Sequence, residues 1–319
     1  MGSRLWTPAE ETLLRVLYPR LPITEVAQHL QHSREAIAQK AKRLGLRQEP
    51  ATTKAALATR PQSERKLAWE SIPRYDQFSR LQGDFAICSD LHVPFLDPGA
   101  LAAFLASAKR HGLSQCLILG DFFNQDDFSH WVQVGITPSD VQFKEELVYA
   151  AQAMELLLGT FKSVFCLRGN HDERILRVLR FGLDLEDVFR LLGRRSAEVL
   201  KAQLADRVQV SEYTFCHVNG RWLCAHPNTY SKIPGGVARD VAETEGMSTI
   251  MGNGHLLSMS RDKSDRYWAV DSGCLVDPLK VYYKTMGIKR FPKWQQGWVL
   301  LKRNVPLVVH RESAAAEWP

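Results

Sequence analysis

Five times along this chain a short apolar run stops at carboxylate, imidazole or amide side chains. Phe85-Ala-Ile-Cys88 leads to Asp90-Leu91-His92, and Cys116-Leu-Ile-Leu119 to Gly120-Asp121-Phe122-Phe123-Asn124. Ser163 to Leu167 leads to Gly169-Asn170-His171-Asp172, Arg221-Trp-Leu-Cys224 to Ala225-His226-Pro227, and an apolar run near Ile250 to Gly254-His255. Helical patterns separate the first three runs: one over Asp97 to His111 and a long one from Pro138 to about Gly159. Asn219-Gly220 between Phe215-Cys-His-Val218 and Arg221 signals a hairpin. Strands alternating with helices predict an α/β layered domain built around a sheet. Ligands of open α/β sheets bind where the strands end. Oxygen and imidazole donors converging there are what a binuclear centre for hard and borderline divalent cations requires. A lone Asp-x-His, or one His after a strand, ordinarily belongs to a satisfied core; five such pieces in this order do not.

Over about residues 84–310 these motifs resemble the calcineurin-like metallophosphoesterase superfamily. The resemblance implies a layered β-sandwich flanked by helices, binding two divalent metal ions with Mn²⁺ as the working metal. It implies hydrolysis of a phosphate ester by a metal-activated hydroxide attacking in line. Metals lower the pKa of bound water from 15.7 toward roughly 7 and neutralise the phosphoryl oxygens. Carried over residue by residue, Asp90 and His92 bind the first metal, Asp121 bridges both, and Asn170, His226 and His255 complete the second. His171 becomes the non-ligand histidine that protonates the leaving group.

The chain departs from the family pattern twice. The last motif usually reads Gly-His-x-His, with its second His on the first metal; here Gly254-His255-Leu256-Leu257 leaves Leu257 in that place and the first site short of a ligand. Members that act on protein phosphoserine and phosphothreonine carry Gly-Asp-x-x-Asp-Arg, where this chain has Asn124 and Gln125. Asn124 can orient His171 by a hydrogen bond, and Asp126, Asp127 or Asp172 can supply a nearby carboxylate. The missing arginine argues against a protein-phosphatase reading. Arg174 follows Asn170-His171-Asp172 closely enough to reach a substrate phosphate. Asp271 to Pro278 followed by Trp294-Gln-Gln-Gly-Trp298 looks like the C-terminal strands of phage-encoded members. Residues 173–204 read as two or three helices with an arginine-bearing outer face.

Ahead of this domain the pattern is helical. Thr7-Pro8-Ala9-Glu10 reads as a capping box with proline at the first helical position. Leu13, Leu14, Leu17 and Leu21 recur at helical spacing, Ile23 to Leu30 fits a second helix, and Ser33 caps a third that ends at Gly45. The unit looks like the small helix-turn-helix DNA-binding domains of phages and bacteria, or a protein-docking unit of the same shape. Under the first reading Arg34, Gln39, Lys40, Lys42 and Arg43 reach phosphates or base edges. Residues 1–48 hold eight Lys/Arg against four Glu, so +4 of the net +6 sits there. The basic, aromatic-rich stretch from Pro278 to Arg311 has the make-up of a surface that holds phosphates and stacks bases.

The expected organisation is a helix-turn-helix domain at 1–48, a linker at 49–80 with a short helix near Glu64 to Trp69, a phosphoesterase domain at 81–312 and a tail at 313–319. No apolar run approaches a membrane span, the N-terminus lacks a secretory signal, and six scattered cysteines suit a reducing compartment. These features predict a cytoplasmic protein whose partner is nucleic acid, most readily DNA, and not a membrane. The expected function is a metal-dependent phosphodiesterase, a nuclease tethered to a DNA-binding module. The rivals are a phosphomonoesterase acting on nucleic-acid ends or small phosphates, and a DNA-binding regulator whose phosphoesterase domain has decayed.

Overall fold

Thr7 begins the first helix by reciprocal capping: Glu10 N–H donates to Thr7 Oγ1 at 3.2 Å and Thr7 N–H to Glu10 Oε2 at 2.8 Å. In this computed structural model three helices follow in quick succession, α1 (Pro8–Leu17), α2 (Ile23–Leu30) and α3 (Arg34–Arg43). Ser33 Oγ accepts Ala36 N–H to start α3, and Gly45, at φ +69°, ends it. The apolar stripes meet in a small core of Leu14, Leu17, Val26, Leu30, Ile37 and Ala41, all buried. Trp6 stacks on His32 at 4.1 Å.

The chain splits into two compact units, residues 1–77 and 78–319. The structure describes residues 6–48, 76–135, 141–180, 182–194, 198–285 and 293–314. The expected linker through residue 75 with its short helix, the start of the long helix at Pro138, Arg195, Phe291 and the tail from residue 315 lie outside the described residues. The second unit begins before the expected boundary. The Phe78 ring packs against those of Phe215 and His217, at 5.0 and 4.6 Å, and β1 (Arg80–Leu81) pairs with β6 (Phe215–Val218).

Two six-stranded sheets form the second unit. One has the order β12-β11-β2-β3-β4-β5, from Val305–His310, Gly297–Lys302, Phe85–Cys88, Gln115–Ile118, Ser163–Cys166 and Val208–Val210. The other has the order β1-β6-β7-β8-β10-β9, where β7 is Trp222–Ala225, β8 Ser248–Met251, β9 Leu257–Arg261 and β10 Trp268–Ser272. The sheets share one core: Phe85, Ile87, Leu117, Phe165 and Val299 of the first meet Cys216, Trp222, Cys224, Ile250 and Val270 of the second. The outer face of the first is covered by α4 (Pro98–Arg110) and α5 (Phe143–Thr160), whose crossovers make β2, β3 and β4 parallel. All four residues of β2 are buried, as a strand covered on both faces must be, which is why it reads as an unbroken apolar run. The described residues between 173 and 207 include α6 (Glu173–Val178), α7 (Leu185–Arg190) and α8 (Glu198–Arg207). No described helix is long and apolar enough to cross a membrane.

Candidate metal centre

Register places the polar residues. Cys88 pairs with Ile118 and Ile118 with Cys166, so the loops after β2, β3 and β4 leave the sheet at one edge. Ala225 pairs with Met251, which aligns the ends of β7 and β8 in the other sheet. Asp90, His92, Asp121 and His255 all have positive φ, from +45° to +54°. Side chains rarely adopt that backbone region, and its strain, about 1–3 kcal/mol per residue, persists where the surroundings over-determine it. Asp90, His92, Asp121, His171, His226 and His255 are all buried.

Asp90 Oδ1 lies 2.9 Å from His255 Nε2 and 3.7 Å from His92 Nε2, and the two ring nitrogens face each other at 3.1 Å. Asp121 Oδ2 lies 3.6 Å from His92 Nε2 and 3.4 Å from His226 Nε2, and the latter is 3.0 Å from Asn170 Oδ1. His226 Nδ1 meets the Leu119 carbonyl at 2.6 Å, a contact that fixes a proton there and turns Nε2 toward Asp121 and Asn170, where it would face a cation. Three overlapping groups, Asp90/His92/His255, His92/Asp121/His171 and Asp90/Asp121/His226, bring their ligand atoms close enough to hold a metal ion. Buried His92 Nδ1 has no hydrogen-bond partner, and Asp90 Oδ1 faces only imidazole nitrogens. Ring nitrogens clustered around buried carboxylates, with a close nitrogen–nitrogen approach among them, fit divalent cations.

Electrostatics agree with that crowding. Burial alone would depress His226, but the adjacent Asp121 carboxylate prevails and raises it to about 9. Burial likewise opposes ionisation of Asp121, and the surrounding imidazoles overcome it and hold the carboxyl well below its ordinary range. His171 is pushed well below its ordinary value by burial, which the Asp121 charge only partly offsets.

His255 departs from expectation. It stands with Asp90 and His92, the first set, and not with Asn170 and His226. Strand β8 ends at Met251, so the motif glycine is Gly252, and Gly252-Asn253-Gly254-His255 puts His255 in the place of the second histidine and Asn253 in that of the first. Asn253 N–H donates to Asp90 Oδ2 at 2.9 Å, and its side-chain amide donates to the carbonyls of Pro227 and Thr229. Asp121, Asn170 and His226 are then the smaller of the two donor groups. Leu257 is no vacancy. It opens β9 opposite Ser272, and a Cβ on Gly273 or Gly297 would lie 2.7–3.1 Å from its methyl carbons, so it fills the space that those glycines leave. Leu257→His is accordingly expected to leave metal affinity unchanged and to destabilise the domain by about 1–3 kcal/mol, because a ring fits poorly in the space that the leucine methyls fill beside Gly273 and Gly297. Metal titration by calorimetry and a denaturation curve check both halves.

The residues around His171 also divide differently. Asp172 is spent on backbone: its carboxylate accepts the N–H groups of Asp121, Phe123 and Gly169 at 2.8–2.9 Å, so it fixes loops and does not serve His171. Asn124 meets His171 through its main-chain carbonyl, 3.2 Å from Nδ1. Arg174 Nη2 lies 3.0 Å from His171 Nε2, and Nη1 donates to the Asn124 carbonyl and to Asp126 Oδ1. Guanidinium nitrogens only donate, so Nε2 accepts, Nδ1 carries the proton, and His171 is neutral.

Sequence reasoning missed Glu146. Its carboxylate, buried on α5, accepts the N–H groups of Asn124 and Gln125 and holds the loop after β3, while burial pushes its carboxyl up. The signal was present as an acid on the apolar stripe of Phe143, Leu147 and Ala150. It also missed Gln295 and Trp294 as supports of the His255 loop: Gln295 N–H donates to the His255 carbonyl, its Oε1 accepts Leu257 N–H, and the Trp294 ring stands edge-on to His255 at 4.0 Å.

On the N-terminal unit Arg34, Gln39, Lys42 and Arg43 are exposed or half-buried. Lys40 is not: it is buried, paired with Glu11, and lies 5.5 Å from the Trp6 ring. It joins α3 to α1 and is withdrawn from the expected nucleic-acid face. The basic stretch near the C-terminus is likewise partly structural, since Trp298 is core and Arg311 pairs with Asp97.

A family profile described as calcineurin-like phosphoesterase matches residues 83–276. Similar solved structures include a novel archaeal phosphodiesterase, 12% identical, with a TM-score of 0.38 over 71% of this chain and 99% of that one. Another is a phosphoesterase from E. coli, 12% identical, TM-score 0.36, covering 73% of this chain and 95% of its own. A Pseudomonas putida nuclease is 15% identical, TM-score 0.28, over 70% and 87%. No curated protein matches the sequence.

Proposed function

The chain belongs to the calcineurin-like phosphoesterase family, and from that premise we propose that it is a metal-dependent phosphodiesterase that cleaves nucleic acid. Its N-terminal helices act as a helix-turn-helix module that binds DNA. The observation that carries this reading is the basic outer face of α3 in the same chain as a buried Asp/His centre flanked by arginine. Six free, buried cysteines are in keeping with a cytoplasmic setting.

Asp90, His92, His255 and Asp121 would hold one cation, and Asp121, Asn170 and His226 a second, with Mn²⁺ the working metal. When bound, such cations neutralise phosphoryl oxygens and make coordinated water more acidic. The chain's own part is orientation and proton supply. The Asn124 carbonyl fixes the His171 ring by its Nδ1 proton, while Arg174 occupies Nε2, the atom that must face the leaving oxygen. A substrate phosphate competing for the Arg174 guanidinium frees Nε2, and its negative charge favours the protonated ring. His171 then takes a second proton from solvent on Nε2 and gives it to the leaving oxygen, returning to the neutral ring with its proton on Nδ1.

For His171→Ala the loss is expected to follow the leaving group. General-acid assistance contributes about 10²–10⁴-fold, so hydrolysis of nucleotide esters falls by that much while an aryl ester, whose leaving group departs unaided, loses little. Equal losses on both would remove the acid role.

The reading is tested with the intact chain and a panel of metals, comparing bis- with mono-p-nitrophenyl phosphate and single- with double-stranded DNA and RNA. Hydrolysis of diesters supports it, preference for the monoester supports a phosphomonoesterase, and no turnover with any metal supports a decayed regulator. Replacing Arg34, Lys42 and Arg43 together by alanine is expected to flatten the salt dependence of DNA binding. The log–log slope should fall by about 0.9 for each phosphate that the variant no longer neutralises. An unchanged slope would make α3 a protein-docking face.

A further inference from the structure

Beside the metal centre a cleft of about 410 Å³ runs from Asn170 past Arg174, Arg177 and Val178 to Phe128 and Trp131. Its size is that of a small-ligand site, and none of its lining residues is acidic. Asn170 and Arg174 line it, and Arg174 touches His171, so one side chain links the cleft to the residue proposed to meet the leaving group. Arg177 is 59% exposed and held by Glu173, with Nε–Oε2 3.0 Å and Nη2–Oε2 2.6 Å, so its position is fixed while its outer edge faces solvent. Trp131 stands on a single helical turn, His130–Gln133, and is 57% exposed. The described core makes no use of that indole.

A flat aromatic surface sharing one cleft with two guanidinium groups suits a ligand with a π-face and more than one negative charge. That is a nucleotide within a chain. We propose that this cleft seats the nucleoside adjoining the scissile phosphate, with its base stacked on Trp131 and the next phosphate along the strand at Arg177. The inference rests on the nucleic-acid reading above and narrows it. A base can reach Trp131 only when it is unpaired and unstacked from its neighbours, so the preferred substrate is single-stranded or frayed nucleic acid.

The test uses the full chain with Mn²⁺ and two dinucleotides that differ only in whether the flanking residue carries a base or is abasic. Wild-type protein is expected to favour the base-bearing diester. Trp131→Ala is expected to cut the ratio of kcat/KM between the two about tenfold, the scale of removing one base–aromatic stack, chiefly through KM. Trp131→Phe, which keeps a ring, should retain most of that ratio. The wild type should also cleave a single-stranded oligonucleotide faster than the same sequence in a blunt duplex. An unchanged ratio in Trp131→Ala, with nucleotide diesters still cleaved, overturns the seat at Trp131 and leaves the nucleic-acid reading standing. Hydrolysis of aryl diesters with no cleavage of any nucleotide diester overturns the nucleic-acid reading itself.

Discussion

Replacing Asp121 by alanine is expected to abolish hydrolysis, a loss of about 10³-fold or more in kcat, or at least ~4 kcal/mol of barrier. The carboxylate occupies the centre of the site. Its Oδ2 lies between His92 and His226 at 3.6 and 3.4 Å, and its Oδ1 accepts His171 N–H at 2.8 Å. Without it, three buried imidazoles lose their nearest anion and the two donor groups lose the one carboxylate common to both. The core between the sheets does not involve this side chain, so the fold should persist. Asp121→Asn, which keeps the shape and the acceptor oxygen but not the charge, should be nearly as inactive. Kinetics on bis-p-nitrophenyl phosphate with circular dichroism as the folding control decide the matter. More than a few per cent of wild-type activity in the alanine variant would overturn the site.

Gly169→Ala is expected to be almost as severe, although no functional atom is removed. A Cβ at Gly169 would lie 2.1 Å from Asp121 Oδ1 and 2.2 Å from Asp121 N, separations that no real contact tolerates. Asp121 has nowhere to retreat: its N–H is bound to Asp172 Oδ2, its φ is already +51°, and the backbones are so close that a Cβ on Gly120 would lie 2.8 Å from Gly169 Cα. The loops after β3 and β4 must separate, moving Asp121 away from His92 and His226. We expect at least about a hundredfold loss of activity and a destabilisation of about 2–4 kcal/mol, at the upper end of overpacking and backbone strain. Gly159→Ala is the control. That glycine lies on α5 with nothing within 4 Å of a new Cβ, so alanine there should leave activity alone and add up to about 1 kcal/mol of stability. Urea denaturation of both variants measures the contrast, and similar behaviour would mean that the loop crossing is looser than described.

Much of this architecture was written locally in the sequence. Strand β2 and the hairpin of β6 and β7 follow from apolar runs bounded by Asp90 and by Asn219-Gly220, and α1 from its capping box, because each depends on neighbours within a few residues. What failed depends on distant partners. The ligand set joined by His255 turns on where β8 stops, and a two-residue shift in reading the glycine motif moves the histidine from one set to the other. Lys40 looked available on a helix of basic residues, but which face of α3 is buried is decided by where α1 packs, and Glu11 and Trp6 close over it. Asp172 sits beside a histidine in sequence, yet three backbone N–H groups from two loops claim its oxygens. Edge strands β9 and β12 pair on one side only, so their half-exposed residues give no clean apolar pattern.

The donors do not belong to one sheet. Asp90, His92, Asp121 and Asn170 follow β2, β3 and β4, whereas His226 and His255 follow β7 and β8 of the facing sheet. Ligand distances at the centre are thus set by the spacing and slide of one layer over the other, a dimension governed by Trp222, Phe85, Ile250 and their neighbours in the shared core. The centre works as a caliper across the sandwich. A core substitution too mild to unfold the domain would change how well the jaws close, so drift in the apolar interior would be felt first as weaker ion affinity and only later as lost structure. Selection on catalysis would then act on residues that never approach the substrate.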